Sequence, residues 1–154
     1  MVGRSHGVTV IAWDGKTLAA DKRACNNGLA RTTTKIHRVG DVLVAFSGDA
    51  AQGREMLAWV TAGRQVADFP ASQRDENKWA TLIVVDEHGL SVYEQTPYPI
   101  PFEDGYFASG SGRDFALAAM HCGKTAAEAV EVACFFQVDC GNGIDVLELI
   151  EQAN

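Results

Sequence analysis

The stretch GVTVIAWDGKTLAADKRA, residues 7–24, reads as two short apolar strands joined at Asp14-Gly15. Thr9 stands at its start and Asp21 near its end. A threonine hydroxyl is a poor nucleophile and works only with a base within hydrogen-bond reach. Behind eight preceding residues, Thr9 could become what no internal threonine can be, a chain terminus. The other residues suited to chemistry form no comparable pattern. His6, His37, His88 and His121 show no metal-ligand spacing, and surface or packing roles are expected for them. Cys25, Cys122, Cys134 and Cys140 contain no C-x-x-C pair. They are expected to be reduced thiols, mostly packing residues of a cytoplasmic protein. No metal and no cofactor is expected.

The whole chain bounds the function classes. Its 154 residues suit one domain with a substantial core. A formal charge of -7 argues against a general nucleic-acid binder, which needs clustered Lys and Arg. No apolar run approaches the ~20 residues of a membrane span. The leader MVGRSHGV has no apolar core of a secretory signal.

The elements that must position Thr9 and Asp21 follow from turn signals and periodicity. Hairpins are expected for Thr9–Trp13 with Thr17–Asp21, for 23–25 with 29–32 around Asn26-Asn27-Gly28, and for 35–38 with 42–47 around Gly40-Asp41. The chain would thus begin as an antiparallel meander. Ala51, Met56, Leu57, Trp59 and Val60 recur at helical spacing up to Gly63, and Phe69 to Lys78 reads as a surface loop. Another hairpin joins 81–85 to 90–93. TPYPIPFEDG is too rich in proline for a central strand. A short strand covers 106–109. Helices follow over 114–122 and from Thr125, which forms a capping box with Glu128, to about Phe136. Phe135 and Phe136 are expected in the core. A last strand spans 143–150. Hairpin strands apolar on both faces (VTVIAW, VLVAF, TLIVV) predict an α+β fold of stacked antiparallel sheets with helices outside.

Four blocks together resemble the proteasome β-subunit and HslV type of N-terminal nucleophile (Ntn) hydrolase, including short bacterial and phage-type members. They are TVIAWDGKTLAAD, TKIHRVGDVLVAFSG, ASGSGRDFALAAM and VDCGNGIDVLEL, and the resemblance runs from Thr9 to about Leu149. It implies a four-layer αββα sandwich of two mainly antiparallel sheets flanked by helices. It also implies a leader at 1–8 and a single domain at 9–154.

In that family the nucleophile is the hydroxyl of an N-terminal threonine, with its own α-amino group as base. An α-amino group has a reference pKa of about 7.7–8.0, so part of it is neutral near physiological pH. A backbone amide cannot replace it, because its lone pair is delocalised into the carbonyl. Thr9 matches this threonine. Asp21 matches the aspartate that holds a lysine, and Lys35 matches that lysine, whose charge would stabilise the nucleophile. Ser111 matches the serine beside the terminal amine. Asp139 and Gly143 match the ends of the family's D-x-x-S-G pattern, with Asn142 in place of its serine. Gly48 matches the residue whose N–H faces the oxyanion. Ala45 and the 25–31 loop are expected beside the substrate. Val8 stands where self-cleaving members often carry glycine, and Val10 where a second threonine is common. Translation from codon 8 would also expose Thr9.

Bland readings exist for each residue. Thr9 is a β-branched strand residue. Asp21 and Lys35 could be a surface ion pair, Ser111 an N-cap, and Asp139 a turn residue. Two functions stand at this point. One is a threonine-type endopeptidase acting on peptide or unfolded protein in a homo-oligomeric ring, with an ATPase as a possible partner. Ring contacts are expected from the helix pair and from an exposed Met56/Trp59 helix. The other is a non-catalytic proteasome-like assembly or virion-associated subunit that keeps its leader.

Overall fold

The computed structural model describes residues 9–70 and 79–150, so the leader and most of the expected 69–78 loop lie outside the described residues. The first hairpin forms where expected, with strand β1 at Val10–Trp13 and β2 at Thr17–Asp21. Its turn is held by Asp14, whose Oδ1 accepts the N–H of Lys16 at 3.0 Å and of Thr17 at 2.7 Å. The second hairpin, β3 (Arg23–Asn26) with β4 (Leu29–Thr32), is a separate two-stranded ribbon. The third comprises β5 (Ile36–Val39) and β6 (Val42–Gly48).

The opening meander does not form. The first three hairpins belong to three different sheets. The reason lies at the edges of the first hairpin, both of which are taken by strands from the other end of the chain. Strand β10 (Phe107–Gly110) pairs with β1 from Val10↔Gly110 to Trp13↔Phe107. Strand β11 (Ile144–Glu148) pairs with β2 from Ile144↔Asp21 to Glu148↔Thr17. The resulting order is β10-β1-β2-β11.

The second sheet runs β5-β6-β7-β8-β9, with β7 at Ala80–Asp86, β8 at Gly89–Tyr93 and β9 at Ile100–Phe102. All its pairings are antiparallel. The proline-rich segment supplies β9 at the sheet edge, where a missing N–H costs no ladder bond.

Helices cover both outer faces. Helix α1 (Ala50–Thr61) lies on the five-stranded sheet, capped by Asp49, which accepts from the Gln52 N–H at 2.9 Å. Met56 and Trp59 are buried there against Leu82, Val84 and Tyr93. They therefore form no exposed contact surface; their spacing marks the side that covers the sheet. Helices α2 (Arg113–His121) and α3 (Ala126–Phe136) cover the four-stranded sheet. Thr125 and Glu128 form the expected capping box. Between the sheets Ile11, Leu18, Ala20, Ile36, Ala45, Ile83 and Val92 make the central core. The layers are α1, the five-stranded sheet, the four-stranded sheet and α2/α3, the α+β sandwich expected.

One core assignment is overturned. Phe135 and Phe136 are 83% and 59% exposed, since α3 turns Val130 and Ala133 to the sheet and ends with this pair facing outward. Phe136 stacks on Phe115 of α2, with ring centroids 5.4 Å apart.

Candidate active site

The site builds outward from Asp21. As the last residue of β2, its side chain is fully buried at the end of the four-stranded sheet. A buried carboxylate must be paired and hydrogen-bonded on both oxygens. Here Oδ1 accepts from Lys35 Nζ at 2.7 Å, from the Val10 N–H at 3.0 Å and from Thr9 Oγ1 at 3.2 Å. Oδ2 accepts from the Gly141 N–H at 3.0 Å and the Arg23 N–H at 3.3 Å. Thr9 hydroxyl and Lys35 ammonium thus meet on one carboxylate oxygen. Both residues are buried, so the ion pair is not the exposed one of the bland reading. Burial is the main influence on Lys35 and lowers its pKa, while the hydrogen bond and charge of Asp21 oppose that shift.

The strand pairing delivers Ser111. Directly after β10, its Oγ lies 3.3 Å from Thr9 N and 3.2 Å from the Thr9 carbonyl oxygen, to which it donates. The Gly112 N–H donates to the same carbonyl at 3.1 Å. Gly110 makes this approach possible, with φ at +94° and a missing Cβ that would collide with the Thr9 carbonyl. Ser111 does not cap α2; Gly112 holds that position without a side-chain bond.

The remaining expected residues lie as follows. Gly48 ends β6 at φ +105°, where a Cβ would come within 2.5 Å of the Trp79 carbonyl oxygen. Its neighbour Ser47 links to Ser109 through their hydroxyls at 3.1 Å, which ties the two sheets at this end. Ala45 is fully buried between the sheets opposite Ile36 and Ile83, with no open surface to offer a substrate. Asn142 lies in left-handed backbone, φ +62°, which asparagine tolerates better than most residues. Its side chain faces Arg23 Nε at 2.9 Å and Thr32 Oγ1 at 3.0 Å, and makes no hydrogen bond to Thr9. Asp139 is exposed and hydrogen-bonds to no member of the cluster among the described residues. The cluster therefore joins Thr9, Asp21, Lys35 and Ser111, and leaves Asp139 and Ala45 apart.

Three neighbours were not anticipated from sequence. Arg23 and Gly141 hold the far side of Asp21, and Cys140 is buried against Val10 and Ala133. Arg23 lies two residues past Asp21 but on a different strand, and its contact to Asp21 is through the backbone N–H, so side-chain pattern gave no signal for it. The four cysteines are free. Burial, and then the Asp21 charge, push Cys140 up to about 12 and Cys134 up to about 11. Both thiols stay protonated near neutrality, which leaves them weak nucleophiles beside the threonine. Among the described residues no group of three or more His, Cys, Asp or Glu could hold a metal, and no helix is long and apolar enough to cross a membrane.

Two stacked antiparallel sheets between helices, with a threonine leading the first strand onto a buried aspartate–lysine pair, define the Ntn-hydrolase fold. Comparison with known proteins agrees. HslV, the ATP-dependent protease subunit of Lacticaseibacillus casei, is 30% identical over 129 residues, covering 75% of this chain and 73% of its own. Proteasome subunit beta 2 of Pyrococcus abyssi is 26% identical over 178 residues, covering 94% and 86%. Among solved structures, Thiobacillus denitrificans BPH in complex with epoxomicin superposes with a TM-score of 0.68 at 22% identity, covering 93% of this chain and 100% of its own. Eukaryotic HslV from Trypanosoma brucei gives 0.66 at 21%, covering 91% and 97%. No protein-family model matches the chain. The chain belongs to the proteasome β-subunit and HslV family of threonine peptidases.

Proposed function

We propose that this chain is a threonine-type endopeptidase whose nucleophile is Thr9 Oγ1, exposed as the first residue once residues 1–8 are absent. The observation that carries the reading is the shared Asp21 oxygen, 3.2 Å from the Thr9 hydroxyl and 2.7 Å from the Lys35 ammonium. As a chain terminus, Thr9 N is a free amine beside Ser111 Oγ. The amine takes the hydroxyl proton, directly or through a water, as Oγ1 attacks a peptide carbonyl. The ammonium of Lys35 stabilises the charge developing on that oxygen. The Gly48 N–H serves the oxyanion. The tetrahedral adduct collapses as the α-ammonium returns that proton to the departing peptide nitrogen, and the C–N bond breaks to release the amine fragment and leave an ester on Oγ1. Water, deprotonated by the same amine, attacks the ester, which releases the carboxylate fragment and restores the hydroxyl. Substrates are peptides or unfolded proteins, and the chain works in a homo-oligomeric ring; one relative is named an ATP-dependent protease subunit, which makes an ATPase the candidate partner.

Intact-mass measurement of native protein treated with epoxomicin, the compound held by one structural neighbour, tests this. The expected result is a chain beginning at Thr9 with one epoxomicin attached, and no adduct on Thr9→Ala. Unlabelled protein that retains residues 1–8 would support the other reading, a non-catalytic proteasome-like subunit.

A further inference from the structure

The Arg23 side chain binds the turn at 138–142 at both of its ends. Arg23 Nη1 donates to the Val138 carbonyl at 2.6 Å, and Arg23 Nε to Asn142 Oδ1 at 2.9 Å. Asn142 Nδ2 continues to Thr32 Oγ1 at 3.0 Å, on the strand paired with Arg23. The guanidinium thus grips both ends of the turn. Between those ends, the Gly141 N–H donates to Asp21 Oδ2 at 3.0 Å, and the Gly141 carbonyl accepts from Lys22 at 2.9 Å. A Cβ at Gly141 would come within 2.7 Å of the guanidinium, so the turn is seated directly on it.

Resting on the reading of Thr9 as nucleophile, we propose that Arg23 is a positioning residue for the cluster. It acts through the 138–142 turn, by holding the Gly141 N–H on the far oxygen of Asp21. With the Arg23 backbone N–H on the same oxygen at 3.3 Å, the Gly141 bond restrains rotation of the carboxylate, and its other oxygen stays aimed at the Thr9 hydroxyl and the Lys35 ammonium. The planar fork of arginine suits this task, because two donors of fixed geometry reach two acceptors on one turn; a lysine offers a single point charge. Arg23 touches neither the hydroxyl nor the ammonium through its side chain. Its effect should therefore fall on the chemical step and spare substrate affinity.

The experiment compares Arg23→Ala, Arg23→Lys and Asn142→Gly with the unsubstituted protein. Amide exchange at Gly141, read by NMR or mass spectrometry on the whole chain, is expected to quicken about tenfold in Arg23→Ala, since its bond to Asp21 is no longer held. Inactivation by epoxomicin is expected to lose about tenfold in its limiting rate, with the half-saturating concentration nearly unchanged. Guanidinium at a non-denaturing concentration should restore the rate in Arg23→Ala, while sodium chloride at equal ionic strength should not. Arg23→Lys should remain impaired. Asn142→Gly, which suits the left-handed backbone, should show a smaller loss of the same kind and stands in if Arg23→Ala does not fold. Unchanged Gly141 exchange in the folded variants overturns the proposal, as does a rate loss that guanidinium leaves untouched. If the unsubstituted chain is never labelled by epoxomicin, the peptidase reading fails, and the exchange measurement still decides whether Arg23 holds the turn.

Discussion

Alanine supplies seven of the eleven fully packed residues under α2 and α3, whereas the layer under α1 contains none and rests on Met56, Trp59, Leu82 and Tyr93. Side chains at a contact set how closely a helix approaches its neighbour. Under α1, Trp59 meets Phe69 and Tyr93 edge-on at centroid distances of 5.0 and 5.2 Å, a thick interlocking layer. Under α2 and α3 the alanines permit a close approach of helix to sheet, and that sheet carries Asp21 at the end of β2. Val10 and Cys140, next to the cluster, belong to the alanine-rich layer. The difference teaches that one side of the sandwich supplies apolar bulk and the other holds the site in place. Substitutions should therefore separate stability from Thr9 reactivity by side.

The largest effect expected is on the site side. Lys35→Met leaves Asp21 buried without its cation and should cost about 3–5 kcal/mol in urea unfolding, together with loss of epoxomicin labelling. Trp59→Ala, on the other side, should cost a similar 3–5 kcal/mol or so, yet its folded fraction should label normally; loss of labelling there would end the proposed division. Gly110→Ala forces a Cβ toward Thr9 at a positive φ. It should cost about 1–3 kcal/mol and slow labelling far more than Trp59→Ala does. Thr125→Ala removes the α3 cap for about 1 kcal/mol, measured by thermal melting, without affecting the site.

The pH response sharpens the same contrast. Burial lowers the pKa of Lys35 below its ordinary 10.5. Labelling that depends on the ammonium should therefore fall on the alkaline side at a pH below 10.5. Between the lowered folded value and the unfolded one, the unfolded chain holds the proton that the folded chain has lost. The contribution of Lys35 to stability thus rises with pH across that window. A rate profile still flat where free lysine titrates would show that the ammonium has no part in the reaction.

Local features were legible in the sequence, and distant pairings were not. Asp14-Gly15, Gly40-Asp41 and the Thr125–Glu128 box mark turns and caps through short-range chemistry, and elements formed around each. Nothing local indicates that β10 and β11 would flank the first hairpin. That arrangement dispersed the expected meander. The Met56/Trp59 spacing was read correctly as helical, but its buried side followed only from the need to cover β6 and β7. Phe135 and Phe136 failed for the opposite reason, because hydrophobicity alone does not say that a helix end faces outward. The grouping of Thr9, Asp21, Lys35 and Ser111 came from a resemblance spanning four blocks. Arg23 and Gly141 were missed because their contacts join positions more than a hundred residues apart.

The bond from Gly141 to Asp21 spans 120 residues, and that span sets an order of events during synthesis. Thr9 and Asp21 emerge from the ribosome first. The donor that fixes the far carboxylate oxygen follows on the order of ten seconds later at ordinary elongation rates. Until then a nascent chain carries its threonine and aspartate with the β2 edge of the hairpin still open, because β11 has yet to be made, and the far side of Asp21 is without its donor.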